Sequence, residues 1–479
     1  MLSKHVSLSL FLLGFGICPA FAEQPTLPIP PLAQNLSADP HTAEFKLSAE
    51  RGESTFVPGR PTATLGYNGA YLGPTVRVHS GQHVKLHVHN GLRETLTTHW
   101  HGVILPGPDD GGPRQSIQPG ATWTAEFDAG QPAATLWYHP HPDEKTARLI
   151  DMGLAGMFIV DDDNPVSQQL PYQYGVDDIP LILQDRDLPG GQLRYRPNMM
   201  DIMTGMFGDT LLVNGAIEPS VEVPATLVRF RILNASSARI YHLRLSDDSP
   251  LTQIASDGGL LATPNVVRQL DLAPAERAEV TIDFSHLQPG SALSLVSDEF
   301  NVLICRTKAA GQKPAKLPEK LADIPKFVER PGMVHRSFDL QTNGMAMAIN
   351  GRQMDMNRID ATVRLHDTEV WTVTNAGGGM MGGRGMMRGG GMMGGGMMGG
   401  GMMGNMRHTF HVHGVQFQVL DRNGRAPEPG EQGWKDTVAL APGERVRLII
   451  PFTQAGVFMF HCHVLEHEDV GMMGQFEVR

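Results

Sequence analysis

Residues 461–472 have the sequence HCHVLEHEDVGM, and the first three carry the strongest signal in the chain. Successive side chains of a β-strand point to opposite faces, so Cys462 would point one way while His461 and His463 point the other. One thiolate, two imidazoles and a weak axial methionine form a blue-copper electron-transfer site. With His467 and Met472 following, the stretch predicts one copper on Cys462 and a second metal cluster on its two neighbours.

Three further motifs repeat the His-x-His spacing, which places two imidazoles on the same side of a strand. They are His99-Trp100-His101, His139-Pro140-His141 and His408-Thr409-Phe410-His411-Val412-His413. With the C-terminal stretch, the four motifs hold ten of the 20 histidines. A lone histidine is usually a packed or solvated side chain. Ten histidines with this spacing predict copper ligands, because imidazole suits copper.

The four motifs, in this order, resemble the multicopper oxidase family over almost the whole chain. The resemblance implies cupredoxin domains and four copper ions, namely one type 1 copper, one type 2 copper and a type 3 pair. The ligands it implies are His408, Cys462 and His467 with axial Met472 for type 1; His99 and His411 for type 2; and His101, His139, His141, His413, His461 and His463 for type 3. Methionine as the axial ligand implies a comparatively low type 1 potential.

The strand pattern predicts an all-β fold of three Greek-key β-barrels in series, and the family resemblance implies that these barrels are cupredoxin-like. Similar segments with alternating apolar residues recur at intervals of about 150 residues, the usual size of a domain. We expect domains at 40–163, at 164–325 (ending in a linker) and at 326–479, the last with a Met/Gly-rich insertion at 377–406. The middle segment holds almost none of the metal-type residues and is predicted to be a spacer.

Composition narrows the class of protein. The net charge of -11 gives no support for binding nucleic acid or an anionic membrane. Lys4, a short apolar run and Ala20-Phe21-Ala22 predict a signal peptide at 1–22 and export to the periplasm. No later stretch is long enough to span a membrane, and nothing demands more than a monomer. Cys305 follows an apolar run and is predicted to be a buried core thiol.

Two further features have competing interpretations. Asp110 lies in an Asp-Gly turn after the first motif and matches the family's proton-relay acid, although such an acid also simply shapes turns. His87 and His89 form another pair two residues apart, with His79 and His83 nearby, but lie in no family motif. We expect these four to be structural or surface residues.

Residues 377–406 are almost entirely glycine and methionine. Glycine at this density cannot hold a packed core, and thioether sulfur is a soft ligand that selects Cu(I). The segment therefore predicts a mobile loop that captures Cu(I) beside the type 1 ligand His408. The alternatives are a lid against bulky substrates and an insertion without a role.

The C-terminal stretch resembles the bacterial copper efflux oxidase branch, which implies that the acid beside the type 1 histidine, Glu468, couples bound Cu(I) to that site. The predicted substrate-copper residues are Met402, Met403, Met406 and Glu468. Two departures from the branch change the ligands. The Met-rich insertion follows the Asn350–Met356 stretch instead of preceding it, and Gly404 stands where an aspartate is expected.

The resulting hypothesis is a periplasmic oxidase that converts Cu(I) to Cu(II) in copper tolerance, with O2 as the acceptor and water as the product. The alternative is a laccase acting on phenols and aromatic amines, which a large open pocket beside His467 would favour. A non-enzymatic cupredoxin scaffold has lost its ligands, a copper store needs no trinuclear cluster, and a nitrite reductase lacks the His461 and His463 pair. These three classes fit the sequence poorly.

Overall fold

The computed structural model describes residues 24–309, 316–343, 346–377 and 406–479. The predicted signal peptide lies outside the described residues, as do Met402 and Met403 with nearly all of the Met/Gly-rich segment. Within the described residues the chain forms 30 strands and three short α-helices. The predicted all-β fold is therefore confirmed.

Six sheets form, two within each of the three predicted segments. The first segment contains β1 (Thr42–Val57), β2 (Arg60–Tyr67), β3 (Val76–His79), β4 (His83–Asn90), β5 (His99–His101), β6 (Thr122–Asp128), β7 (Ala134–His139) and β8 (Gly156–Asp161). The second contains β9 (Asp178–Arg186), β10 (Thr210–Val213), β11 (Ala216–Ile217), β12 (Ser220–Pro224), β13 (Leu227–Asn234), β14 (Tyr241–Leu245), β15 (Leu251–Ser256), β16 (Gly259–Val267), β17 (Leu270–Leu272), β18 (Arg277–Asp283), β19 (Ala292–Ser297) and β20 (Phe300–Lys308). The third contains β21 (His335–Asn343), β22 (Ala346–Ile349), β23 (Ala361–Val363), β24 (Thr368–Gly377), β25 (His408–Val412), β26 (Gln418–Arg422), β27 (Thr437–Leu440), β28 (Arg445–Pro451), β29 (Gly456–Cys462) and β30 (Met473–Val478).

The same strand topology recurs in all three segments. Each has one parallel pair in each of its two sheets, and most remaining pairs are antiparallel. The parallel pairs are β1 with β4 and β3 with β8, then β9 with β13 and β12 with β20, and finally β21 with β24 and β23 with β30. Three copies of one barrel topology explain why the alternating sequence pattern recurs three times.

Each segment has its own apolar core between its two sheets. Representative side chains are Leu86 and Phe158 in the first core, Phe230 and Leu303 in the second, and Trp371 in the third. A further buried cluster joins the segments, with Trp137 packed beside Ile182 and Leu465. This buried cluster fixes the positions of the first and third segments around the candidate site.

Three short α-helices lie between strands: α1 (Thr146–Asp151), α2 (Met199–Thr204) and α3 (Leu465–Asp469). Asp469 of α3 accepts hydrogen bonds from the backbone N–H groups of Thr146 and Ala147, which fixes α3 against the start of α1. No helix in the described ranges is long and apolar enough to cross a membrane.

Candidate copper centres

Four strand ends bring eight histidines into one buried cluster between the first and third segments. In the first segment, His99 of β5 pairs opposite His139 of β7. In the third, His411 of β25 pairs opposite His461 of β29. Because alternate residues share a face, each pair carries a second imidazole into the same space. The cluster comprises His99, His101, His139, His141, His411, His413, His461 and His463, all at most 1% exposed.

The ring orientations of three of these histidines fit a metal. The Nδ1 atoms of His99 and His411 lie 2.8 Å from the carbonyl oxygens of Asp110 and Asp436, and His139 Nδ1 lies 2.9 Å from Pro140 O. A carbonyl only accepts, so each Nδ1 carries the proton and each Nε2 is left with a free lone pair. The Nε2 atoms of His99 and His411 are buried without a hydrogen-bond partner, as a metal ligand requires.

The remaining cluster residues group as a pair of metal sites would require. Nε2 of His461 lies 3.2 Å from Nε2 of His141 and 3.0 Å from Nε2 of His413, so these three nitrogens converge on one point. The imidazole of His463 packs 5.2 Å from that of His101 and 5.4 Å from that of His139, measured between ring centroids. This grouping matches the type 3 ligands that the family resemblance implies.

Burial keeps the imidazoles of His99, His411, His413 and His463 neutral. Burial, reinforced by the neighbouring imidazoles, lowers the pKa values of His99, His411 and His413 well below their ordinary value. Burial lowers the pKa of His463 to about 3 in spite of the nearby Glu468 carboxylate. Metals bind the neutral imidazole, so these side chains are in the protonation state that copper needs.

A separate group of three donors forms around Cys462. Its Sγ lies 3.4 Å from His408 Nδ1 and 3.7 Å from His467 Nδ1, and the two nitrogens are 3.3 Å apart. This near-equilateral triangle has the His2Cys trigonal form of a blue-copper site. His467 Nε2 donates to Met203 O at 3.2 Å, which leaves its Nδ1 free to bind a metal.

The surroundings of Cys462 complete this site. The carbonyl of the buried Met472 accepts from the Cys462 N–H at 3.0 Å, and the side chains of the two residues belong to the same buried cluster. Burial raises the pKa of the Cys462 thiol to about 12, so a thiolate forms there when a cation replaces the proton. Cys462 sits between His461 and His463 in the chain, and one residue therefore connects the two groups of donors.

Comparison with known proteins agrees with this geometry. Two family models, both described as multicopper oxidase, match residues 48–165 and 329–479. The multicopper oxidase mco of Staphylococcus haemolyticus is 36% identical over 450 residues, covering 94% of this chain and 91% of that protein. The chain belongs to the multicopper oxidase family. Copper cofactors follow from that membership.

Other members of the family have different names. The cell division protein FtsP of Xenorhabdus nematophila is 36% identical over 480 residues, covering 95% of this chain and 93% of that protein. A solved structure of a laccase from Pediococcus acidilactici is 37% identical, with a TM-score of 0.87, and covers 95% of this chain and 94% of its own. Membership of the multicopper oxidase family therefore leaves the substrate to be argued from the site.

Asp110 lies against the cluster, where the sequence placed a proton-relay acid. Its Oδ2 is 2.8 Å from His413 Nδ1, while Oδ1 is 3.5 Å from His99 Nδ1. Burial raises the pKa of the Asp110 carboxyl well above its usual range. The turn itself requires Gly111, because φ is 78° and an added Cβ would meet Thr98 O at 1.8 Å. Asp110 thus both shapes the turn and touches two candidate ligands.

Glu468, which the family resemblance assigns to coupling bound Cu(I) to the type 1 site, lies against the histidine cluster in the structure. Its Oε2 is 3.1 Å from His461 Nδ1 and its Oε1 is 3.5 Å from His141 Nε2, and the side chain is fully buried. The physical reason is helical geometry. Neighbours on α3 point about 100° apart, so His467 faces Cys462 while Glu468 faces the histidine cluster. Glu468 is therefore placed against the candidate type 3 ligands.

Two charged residues near the cluster, Asp436 and Arg277, were not predicted from the sequence. Asp436 Oδ1 lies 3.0 Å from His101 Nε2, and Asp436 is bound by Arg277, which comes from β18 of the middle segment. Neither residue belongs to a His-x-His motif, and the partners lie 159 residues apart in the chain, so no local pattern reveals them. The middle segment, predicted to be a spacer, thus contributes Arg277 to the surroundings of the cluster.

A surface cavity of about 520 Å³ lies beside the His2Cys site. It is lined by Met200 and Thr204 of α2, by Met406 and by an aromatic side chain, Phe207. The carbonyl of Met203, also on α2, accepts the bond from His467, and Met406 is two residues from His408. The cavity is thus bounded by α2, which contacts His467, and by the residues that precede His408 in the chain.

The histidines outside the family motifs and Cys305 lie away from the cluster. His83 and His87 lie on the outer face of the first segment, where His83 contacts Asp128 and Glu126, and His87 contacts Glu44. No metal-type grouping forms around them within the described residues. Cys305 is buried, and burial raises the pKa of its thiol far above the ordinary value, in keeping with a core thiol.

Proposed function

We propose that this multicopper oxidase is exported to the periplasm, where it oxidises Cu(I) to Cu(II) for copper tolerance and reduces O2 to water. The observation that carries the proposal is the cavity beside the type 1 site. Two thioethers, Met200 and Met406, line it, and Met406 is the last residue of the Met/Gly-rich segment. Thioether sulfur prefers Cu(I) to the harder divalent metals, so this entrance selects a cuprous substrate.

Each of the two groups of candidate ligands has its own task. The residues His408, Cys462 and His467 would hold the type 1 copper and the eight-histidine cluster the other three, so that bound copper supplies one-electron transfer and O2 reduction. His467 is the ligand bonded to α2, which makes it the entry for electrons from the cavity. Cys462 carries them onward, since its peptide neighbours are candidate type 3 ligands.

Two buried carboxyl groups serve the proton requirement. Reduction of O2 to two waters consumes four protons, and the cluster has no exposed histidine. Asp110 contacts His413 on one side of the cluster, and Glu468 contacts His461 on another. Burial raises the pKa of Asp110, which therefore holds a proton beside His413. In spite of its burial, the imidazoles of His141 and His461 hold the pKa of Glu468 well below its usual range, so Glu468 is a carboxylate that accepts a proton and passes it to the cluster. The assignment moves Glu468 from substrate binding to proton delivery.

A laccase-type oxidation of phenols is the second candidate. The same cavity favours it, because about 520 Å³ accommodates an aromatic ring and the half-exposed Phe207 offers a stacking surface. The solved structure named a laccase is similar along nearly the whole chain. The enzyme would prefer Cu(I) if the thioethers bind Cu(I) well, and it would prefer phenols if the open cavity binds an aromatic ring better.

A non-enzymatic role, as the likeness to a cell division protein would suggest, fits less well. A scaffold has no need of ten histidines and a cysteine held in buried, convergent groups. Burying that many polar rings without a metal would be unfavourable, since ring nitrogens of His99, His411 and His463 have no hydrogen-bond partner.

The test compares O2 uptake by the copper-loaded protein with Cu(I) and, separately, with a dimethoxyphenol. Both are measured for the full chain and for a variant lacking residues 377–404. We expect rapid Cu(I) turnover that falls on deletion, while phenol turnover holds or rises. Negligible or unaffected Cu(I) turnover together with efficient phenol oxidation would reject the cuprous oxidase and establish the laccase.

A further inference from the structure

Arg277 reaches the copper cluster from the middle segment. It begins β18, is fully buried, and its two terminal nitrogens bind both carboxylate oxygens of Asp436. Its Nε also donates to Thr135 O of β7 at 3.1 Å, and Nη2 donates to Asp257 O at 3.1 Å. The guanidinium is thereby tied to all three segments, and its position is fully determined.

Asp436, which Arg277 holds in place, in turn contacts two histidines of the cluster. Its Oδ1 lies 3.0 Å from His101 Nε2, and its backbone carbonyl accepts from His411 Nδ1 at 2.8 Å. The two rings stack with centroids 3.6 Å apart, although they come from different segments. The contact to Nε2 of His101 leaves Nδ1 as the nitrogen that faces the cluster, 3.4 Å from His139 Nε2.

The residues around the ion pair of Arg277 and Asp436 leave space for it and bind its free atoms. Gly102 follows His101 with φ of 86°, and a Cβ there would meet Asp436 Oδ2 at 2.5 Å and Arg277 Nη2 at 2.9 Å. Gln416 donates to Asp436 Oδ2 at 2.7 Å, so both carboxylate oxygens are saturated. Because every polar atom of the Asp436 side chain is hydrogen-bonded, this side chain has one orientation, and so have the rings that it contacts.

We propose that Arg277 is a positioning residue for the trinuclear copper centre. Acting through Asp436, it fixes which nitrogens of His101 and His411 face the metals, and these histidines would hold a type 3 and the type 2 copper. The middle segment thus takes part in the copper chemistry. The inference rests on the proposed copper centres, and it extends them to a residue outside every ligand motif.

A merely structural ion pair is the competing explanation, and the chain offers a matched control for it. Arg231, on neighbouring β13, is also buried, binds Asp178 and Glu279, and donates to Thr135 Oγ1 at 2.9 Å. It joins the middle segment to the first, and among the described bonds neither Arg231 nor the two acids that it binds contact a cluster histidine. An effect that appears on substitution of either arginine indicates a general loss of stability. An effect that appears only on substitution of Arg277 indicates that Arg277 positions the copper ligands.

The experiment uses Arg277→Lys and Arg231→Lys in the full chain loaded with copper. Lysine retains the charge but cannot bind both carboxylate oxygens in a planar fork. Each protein is titrated with a copper chelator while the type 2 electron paramagnetic resonance signal and the blue type 1 absorption band are recorded. Thermal unfolding of the copper-free proteins measures how far each substitution disturbs the fold.

We expect Arg277→Lys to lose its type 2 signal at a chelator concentration roughly 10–100-fold lower than the wild type, the usual effect of removing a residue that orients a ligand. The type 1 band of this variant should persist, and Arg231→Lys should titrate like the wild type. Equal type 2 retention in Arg277→Lys and wild type would overturn the inference, as would an equal shift in both variants.

Asp436→Asn provides a second route if Arg277→Lys does not fold. It keeps the shape of the side chain and removes its charge, and it should weaken type 2 retention in the same direction. Wild-type retention in this variant would also overturn the inference. Failure of the wild-type protein to develop type 1 and type 2 signals is a separate result, because it would contradict the proposed copper centres themselves.

Discussion

Glu468 Oε2 lies 3.1 Å from His461 Nδ1, with the carboxylate fully buried and directed away from the type 1 site. Its neighbour in the chain, His467, belongs to the type 1 group, so two adjacent residues serve two different copper centres. In the proposed function, His467 receives electrons and Glu468 delivers protons, so the two tasks are separated within a single turn of α3.

Glu468→Gln should slow O2 reduction while leaving capture of Cu(I) unchanged. Glutamine keeps the shape of the side chain but cannot deliver the proton, so kcat should fall by about 100-fold. The KM for Cu(I) should stay at the wild-type value, as steady-state O2 uptake will measure.

The matched control is Glu466→Gln on the same helix. The Glu466 carboxylate accepts bonds from Ser237, Tyr195 and the Met206 N–H, and so faces the middle segment. This variant should lose stability without a comparable loss of kcat. A Glu468→Gln enzyme with raised KM and normal kcat would return Glu468 to the substrate site.

Asp110→Asn should also impair turnover, because the carboxylate contacts both His413 and His99. We expect kcat to fall by roughly 10–100-fold, as is usual when a group that orients a metal ligand is altered. Asp109→Asn is the control, since Asp109 Oδ1 accepts from the Glu126 N–H, away from the cluster. Equal activities of the two variants in O2 uptake would reject a role for Asp110 beyond its turn.

Replacing both Met200 and Met406 by leucine should weaken use of Cu(I) specifically. Leucine keeps the apolar volume and removes the soft sulfur ligand. The KM for Cu(I) should rise roughly tenfold, equivalent to about 1.4 kcal/mol of binding, while kinetics with a dimethoxyphenol stay unchanged. Met199 is exposed on α2 but does not line the cavity, so Met199→Leu is the control. Parallel losses with both substrates would indicate damage to the type 1 site instead.

His83 makes a stability contribution that depends on pH. Hydrogen bonds to Asp128 and Glu126 raise the pKa of His83 in the folded protein above its ordinary value of 6.5. The stabilisation is therefore fully present below the unfolded-state pKa and is lost as pH rises through the folded-state value. At this partly exposed site it should amount to about 0.2–1 kcal/mol.

Chemical denaturation of wild type and His83→Gln at pH 5.5 and pH 9 measures this difference, which should be larger at the lower pH. His89→Gln is the comparison, because His89 Nδ1 contacts only Thr122 Oγ1, at 3.2 Å, among its described bonds. A His83→Gln effect that is the same at both pH values would contradict the assignment.

Much of the fold could be predicted, and so could which histidines come together, because both depend on strand geometry. A period of two residues defines the faces of β5, β25 and β29, so the His-x-His spacing directly indicates which imidazoles share a side. The direction of Glu468 could not be predicted in that way, since His461 lies in a strand and Glu468 in a helix. The link between Arg277 and Asp436 depends on how separate barrels pack, and no local pattern encodes that packing.

The most direct test of the account is the stoichiometry of O2 consumption when Cu(I) is supplied as the sole reductant to the copper-loaded, full-length protein. O2 and hydrogen peroxide are measured together, with Cys462→Ser as the control that breaks the connection between the two groups of copper ligands. We predict one O2 consumed for every four Cu(I) oxidised, no accumulation of peroxide, and no enzymatic uptake by the variant. Consumption of one O2 for every two Cu(I) with release of peroxide, or equal uptake by Cys462→Ser, would contradict the account.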